Sequence, residues 1–91
     1  MSKRKETVTR IIDGDTFKTA CRKLSVRLAN VDAPEKGQRG AVKATESLKN
    51  LIQGKKVEVH TVAQDVYGRT VANVKIDGKS VNKSMNRVLK K

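Results

Sequence analysis

The sequence is poor in aromatic residues and has one cysteine and one histidine. Tyr67 and Phe17 are its only aromatic residues, and it has no tryptophan. Two aromatic side chains are too few for the platforms on which successive bases of single-stranded nucleic acid stack. Cys21 and His60 stand alone, which excludes a disulfide within the chain and a zinc site built from Cys and His.

The sequence also lacks a long apolar run. No stretch approaches the roughly 20 apolar residues of a membrane span. The opening MSKRKETVTR contains no apolar segment of signal-peptide length. We therefore expect a cytoplasmic protein without membrane contact, and secretion stays open as an alternative if a leader has been removed.

Acidic residues are the minority among the charged side chains. The chain has 21 Lys and Arg against 9 Asp and Glu, which gives a net charge of +12 over 91 residues. Such a charge attracts polyanions and speeds their association. The length allows one compact domain. We expect a monomer with a flexible basic arm over residues 1–5 and a single domain over residues 6–91.

The pattern of β-branched residues and turn signals predicts five short strands. They lie over residues 6–12, 16–20, 24–28, 56–62 and 70–76. The Asp-Gly-Asp turn joins the first two strands as a hairpin. In the third strand Leu24, Val26 and Leu28 should face inward, and the alternation breaks at Ala29 and Asn30, which suggests a bulge.

Two helices complete the predicted fold. One apolar stripe with helical spacing ends at Gly54 and consists of Ala41, Ala44, Leu48, Leu51 and Ile52. A second helix should begin at an N-cap formed by Ser80 and present Val81, Met85, Val88 and Leu89 on one side. The order of three strands, a helix, two strands and a helix predicts an α+β fold, specifically a five-stranded Greek-key barrel of the OB type.

Five of the nine acidic residues lie at predicted turns or strand ends. They are Asp13, Asp15, Asp32, Glu35 and Asp65. Each is compatible with an ordinary turn when taken alone. Pairing of the second and third strands would bring Asp15 beside Asp32, however, and two carboxylates with a third acid nearby suit a hard divalent cation.

Two arginines accompany the predicted acid cluster. Arg27 projects from the polar face of the third strand, and Arg69 opens the fifth strand after a glycine. Either could be an ordinary solvated side chain, and Arg69 could simply pair with Asp65. Carboxylates for a metal together with guanidinium groups are, however, what phosphoryl chemistry requires.

From Val8 to about Val88 the sequence resembles the staphylococcal nuclease (thermonuclease) family. The matching stretches, in order, are IIDGDTF, VRLANVDAPE, LIQGKKVEV, DVYGR with VANV, and DGKSVNKSM. Each stretch is weak alone, but their order and their interleaving with the predicted elements make a chance match improbable.

The resemblance implies a role for each matched residue. Asp15 and Asp32 would bind Ca²⁺ with the backbone carbonyl of Ala33, and Asp13 would support them from the outer shell. Glu35 would be the general base, Arg27 and Arg69 would clamp the scissile phosphate, and Tyr67 would lie near the nucleotide. The short loop after Glu35 offers Lys36, Arg39 and Lys43 as further substrate contacts.

The predicted function is therefore calcium-dependent hydrolysis of DNA or RNA with little sequence preference. As the resemblance implies, the products would carry 5′-hydroxyl and 3′-phosphate ends. Two alternatives are a noncatalytic OB-fold module that binds nucleic acid and a protein-interaction domain. An interaction domain would be expected to have lost one or more of Arg27, Glu35 and Arg69, and all three are present.

Overall fold

The computed structural model describes residues 5–34 and 37–89, which form six strands and two helices. In chain order these are β1 (Lys5–Asp13), β2 (Thr16–Thr19), β3 (Val26–Leu28), α1 (Ala41–Ile52), β4 (Lys56–Gln64), β5 (Thr70–Ile76), β6 (Lys79–Ser80) and α2 (Val81–Leu89). The predicted α+β class with two helices is confirmed. β1 already includes Lys5, the last residue of the predicted arm, and residues 1–4 lie outside the described part of the chain.

Five strands pair in a closed ring, and β6 is added at one edge. The sheet order is β3-β2-β1-β4-β5-β6, and a parallel pairing of β3 with β5 closes the ring. All other pairings are antiparallel. β3 is therefore bordered by β2 and β5, so the polar groups of its backbone can pair on both sides.

The core lies inside this ring and under the two helices. Its fully buried side chains include Phe17, Val26, Leu28, Leu48, Ile52, Val57, Val74, Val81 and Met85. The predicted stripe of α1 is confirmed, since four of its members are buried and Leu51 packs against the core. The prediction that Leu24 is buried is wrong. Its side chain is 52% exposed, because β3 begins only at Val26.

The predicted ends of the helices have the expected local structure. Ser80 Oγ accepts a hydrogen bond of 3.2 Å from the backbone N–H of Lys83, which confirms Ser80 as the N-cap of α2. Gly54 follows α1 with a φ of +76°, a conformation that ends a helix. The predicted bulge at Ala29 and Asn30 is instead a turn after β3, with Asn30 at a φ of +59°.

Asn82 has a structural role that the sequence did not reveal. It lies in the first turn of α2 and is buried. Its Oδ1 accepts the backbone N–H of Val74 at 2.8 Å, and its amide donates to the carbonyls of Ala29 at 2.8 Å and Ala72 at 3.1 Å. These bonds tie α2 to β5 and to the end of β3, where the loop toward Asp32 begins.

Candidate active site

The Asp-Gly-Asp turn between β1 and β2 places a carboxylate against the loop that follows β3. Asp13 Oδ1 accepts the backbone N–H of Asp15 at 3.1 Å, which stabilises the turn. The carboxylate of Asp15 is buried, and it accepts hydrogen bonds from the hydroxyl of Thr16 at 2.8 Å and from the backbone N–H of Ala33 at 3.1 Å. Asp15 therefore connects the turn with the segment that carries Asp32.

Gly14 allows this turn to approach α1. A Cβ added at Gly14 would lie 2.6 Å from Cβ of Ala44 and 2.9 Å from Cβ of Ala33, both too short for carbon atoms. Only glycine fits between the first turns of α1 and the loop at Ala33. The close packing fixes the position of Asp15 relative to both segments.

The environment of Asp15 disfavours its ionised form. Burial removes the carboxylate from water and raises its pKa above the ordinary value, and the adjacent Asp13 carboxyl raises it further. The hydrogen bonds from Ala33 and Thr16 lower the pKa but do not cancel these effects. A cation near this carboxylate would therefore be favourable.

Arg27 lies between the two predicted metal-binding carboxylates. β3 places it opposite Thr16 of β2. Its Nη2 is 3.6 Å from Asp15 Oδ2 and 3.9 Å from Asp32 Oδ1, while Nη1 donates to the carbonyl of Leu28 at 3.4 Å. The two carboxylate distances exceed those of a good hydrogen bond, and the Asp32 side chain is fully exposed. The structure thus brings Asp13, Asp15, Arg27 and Asp32 together.

Arg69 lies on the same face of the sheet but has its own partner. Thr70 of β5 pairs with Val26 of β3 and both are buried, so the outward neighbours Arg69 and Arg27 share the opposite face. Nε of Arg69 donates to Asp65 Oδ2 at 2.6 Å. In the described part of the chain no ion pair joins Arg69 to Asp15.

Asp65 organises the turn that presents Arg69 and Tyr67. Its Oδ1 accepts the backbone N–H groups of Tyr67 at 3.0 Å and Arg69 at 2.9 Å, and Gly68 adopts a φ of +82°. Desolvation raises the pKa of Asp65, but the hydrogen bonds from Arg69 and Tyr67 outweigh it, so the pKa lies below its ordinary value. Tyr67 is 78% exposed, and the Arg69 guanidinium carbon lies 5.4 Å from its ring centroid.

Two further predicted site residues, Ala33 and Arg39, line an open cleft beside Asp32. The cleft has a volume of about 610 Å³ and is lined by Asp32, Ala33, Pro34, Gln38 and Arg39. Glu35 and Lys36 lie outside the described residues. The predictions for the general base and for a lysine contact therefore remain predictions.

The described side chains offer oxygen ligands for a cation but not a complete set. Over residues 5–34 and 37–89 no three acidic, histidine or cysteine side chains converge to hold a metal. The carboxylates of Asp15 and Asp32 have the chemistry that a hard cation prefers, and such cations complete their coordination with backbone oxygens and water. The donor chemistry therefore fits Ca²⁺ or Mg²⁺.

Comparison with known proteins finds a nuclease family model and several relatives with nuclease names. Residues 25–88 match the family model described as staphylococcal nuclease homologue. An "Uncharacterized endonuclease" of Escherichia coli O157:H7 is 40% identical over 83 residues, covering 88% of this chain and 54% of that protein. Another of Haemophilus influenzae is 36% identical over 81 residues, covering 86% of this chain and 46% of that protein.

A third relative has a more specific name. A "Micrococcal nuclease" of Shigella flexneri is 41% identical over 69 residues, covering 74% of this chain and 40% of that protein. The chain thus spans about half the length of the curated relatives it matches.

Within the described residues, no helix has the length and apolar character needed to cross a membrane.

Proposed function

Because this chain belongs to the staphylococcal nuclease family, we propose that it is a nuclease that hydrolyses phosphodiester bonds of DNA or RNA. Relatives that carry the names endonuclease and micrococcal nuclease support the proposal. The observation that carries it is the position of Arg27 between the carboxylates of Asp15 and Asp32, the second of which lines an open cleft. A phosphate diester bound there would meet a guanidinium group and a prospective cation site together.

Arg27 and Arg69 are proposed to bind the scissile phosphate. Arg27 has no close hydrogen bond to either carboxylate, so its N–H groups can turn to phosphate oxygens without losing a strong partner. Nε of Arg69 donates a hydrogen bond to Asp65, which leaves the terminal nitrogens of Arg69 as donors to phosphate oxygens. As negative charge grows on the phosphoryl oxygens, both guanidinium groups would stabilise it.

A calcium ion is the proposed cofactor. Asp15 and Asp32 would hold it with the backbone carbonyl of Ala33, and Asp13 would stabilise the cluster from outside. Bound there, the ion would supply Lewis-acid polarisation of a phosphoryl oxygen. Calcium suits a loop-built site with a backbone carbonyl ligand better than magnesium does, because calcium tolerates irregular geometry and magnesium requires a near-ideal octahedron.

Glu35 is proposed to orient the attacking water and to accept its proton. The water oxygen would bond to phosphorus while the bond from phosphorus to the 5′-oxygen breaks in line with it. The leaving 5′-oxygen would take a proton from solvent water. The products would therefore be a 3′-phosphate and a 5′-hydroxyl.

Cleavage assays test this proposal directly. The substrates are single-stranded DNA, duplex DNA and RNA, each incubated with Ca²⁺, Mg²⁺ or excess chelator. We expect cleavage to be fastest with Ca²⁺. Arg27→Ala should lower cleavage by about 10²–10³-fold, since it removes a group that stabilises the transition state. Lys18→Ala, which removes an exposed cation from β2, is the matched control and should change the rate little.

Three outcomes would contradict parts of the proposal. Undiminished cleavage in excess chelator would exclude the metal-dependent mechanism. Products that need phosphatase treatment before 5′-labelling by a kinase would exclude the proposed ends. Tight binding without cleavage of any nucleic acid, unchanged by Glu35→Gln, would favour the alternative of a noncatalytic binding module.

A further inference from the structure

A continuous groove leads from the cleft at Asp32 along the contact between α1 and α2. The cleft and a second depression share Pro34 and Arg39. This second depression and a third, which is also lined by Ser47 and Arg87, share Lys43 and Val88. The shared residues make the three depressions one path, which we call the helix groove.

The helix groove combines cations with an apolar floor. Beyond Asp32, the described residues that line it include the cations Arg39, Lys43 and Arg87 and no carboxylate. None of the three cations forms an ion pair with another described residue. The apolar lining is Pro34, Ala44, Val88 and Leu89. An occupant of this groove should be anionic and should carry flat or apolar surfaces between its charges.

The helices themselves place cations where they are unfavourable without an anion. Lys43 lies in the first turn of α1, where the helix dipole is positive and where the helix has no acidic residue and no side-chain cap. α2 has no acidic residue, and its Lys83 and Arg87 are separated by four positions, a spacing at which like charges repel. A bound polyanion would remove both conflicts.

We propose that the helix groove holds the nucleic-acid strand on one side of the scissile phosphate, so that the substrate is a polynucleotide bound over several nucleotides. This inference rests on the proposed nuclease function. From Ala41 to Ser47 the helix rises about 9 Å, which spans about two or three nucleotides at the axial spacing of one strand. The cations contact phosphates, and the apolar floor contacts sugars and bases.

Binding of a labelled dT12 oligonucleotide, measured by fluorescence anisotropy in chelator, tests the groove without cleavage. The double variant Lys43→Ala with Arg87→Ala should weaken affinity at least fivefold at moderate salt. It should also reduce the slope of log Kd against log salt by about 1.4, since each phosphate contact to a single strand contributes about 0.7. Lys49→Ala with Lys75→Ala removes two exposed cations outside the groove and should leave the slope unchanged.

A second pair of variants adds charge instead of removing it. Ser47→Glu places a carboxylate inside the groove and should weaken dT12 binding, whereas Asn50→Glu adds the same charge to an exposed position of the same helix and should have little effect. Both positions lie in α1, where glutamate is a good helix former. Thermal unfolding of each variant would verify that it is folded.

The two proposals fail in different ways. If wild-type protein cleaves no nucleic acid in Ca²⁺, the nuclease proposal fails, while the anisotropy measurements still test the groove. If the double variant Lys43→Ala with Arg87→Ala binds dT12 with wild-type affinity and salt slope, the groove proposal is overturned. An acidic polypeptide would then be the alternative ligand of the groove. Equal losses from the groove variants and their controls would also overturn it.

Discussion

Glu6 shows how a single buried carboxylate can be stabilised by its partners. Its side chain is 8% exposed, and Arg22 donates to both carboxylate oxygens at 2.7 and 2.8 Å while Thr19 donates at 2.8 Å. Burial raises the pKa of Glu6, but the hydrogen bonds from Arg22, Thr19 and Cys21 and the charge of Arg22 outweigh it. The pKa lies below its ordinary value of 4.5. The folded state therefore stabilises the ionised form of Glu6 relative to the unfolded state.

This shift predicts a loss of stability in acid. The contribution of ionised Glu6 is fully present above pH 4.5 and is lost as the pH falls through its lower folded-state pKa. Glu6→Gln should cost about 1–3 kcal/mol near neutral pH, because it leaves donors of Arg22 without an anionic partner. Urea unfolding at several pH values would measure the difference, which should shrink as the pH falls below 4.5.

Glu46→Gln is the control for this measurement. Glu46 is exposed on α1, so its variant should follow the wild-type pH profile. A difference between wild type and Glu6→Gln that stays constant from neutral to strongly acidic pH would contradict the role of the Glu6 charge.

At the scale of elements, the Asp-Gly-Asp turn and the start of α1 are packed as one unit. Gly14 contacts both Ala44 of α1 and Ala33 of the loop after β3, and its neighbour Asp15 accepts the N–H of Ala33. The position of the acid cluster therefore depends on how closely three segments approach. An added methyl group must move at least one of them.

We expect Gly14→Ala to cost about 1–3 kcal/mol of unfolding free energy, the usual cost of overpacking. It should also lower cleavage, because displacement of the loop at Ala33 separates Asp15 from Asp32. Thermal or urea unfolding and the cleavage assay would measure the two effects.

Ala44→Gly offers a test of the physical cause. This variant removes the atom that lies 2.6 Å from the added methyl group, so the double variant should be more stable than the sum of the two single changes predicts. Strict additivity of the two free energies would show that the clash with α1 is not the reason for the loss.

At the scale of the whole molecule, charge repulsion opposes folding. The net charge of +12 is carried by a chain whose described part has a radius of gyration of 12.1 Å. Many cations therefore lie within a few Debye lengths of one another, about 8 Å each at physiological ionic strength. A polyanion would relieve this repulsion, and so would added salt.

Raising NaCl from about 10 to 300 mM without nucleic acid should therefore raise the Tm by about 4–8 °C, if screening contributes about 1 kcal/mol. Differential scanning fluorimetry would measure it. Choline chloride at the same ionic strength should give the same increase, because screening does not depend on the identity of the cation. A constant or falling Tm would show that charge repulsion does not limit stability.

The sequence by itself determined most secondary structure and the proximity of Asp15 to Asp32. The period of the apolar residues located α1 and β5, and local chemistry located Ser80 as an N-cap and Gly54 as the residue that ends α1. These features depend on residues within a few positions of one another, so a linear pattern contains them. Pairing of β2 with β3 then made the proximity of Asp15 and Asp32 predictable.

The tertiary structure alone decided which side chains form hydrogen bonds to other segments and which are exposed to solvent. Asn82 bonds to Ala29 across 53 positions, Asp65 takes the Nε donor of Arg69, and Leu24 is exposed because β3 starts after it. The helix groove likewise exists only because α1 and α2 pack side by side. Such contacts join segments distant along the chain, and their geometry depends on how the whole core packs, which no local pattern specifies.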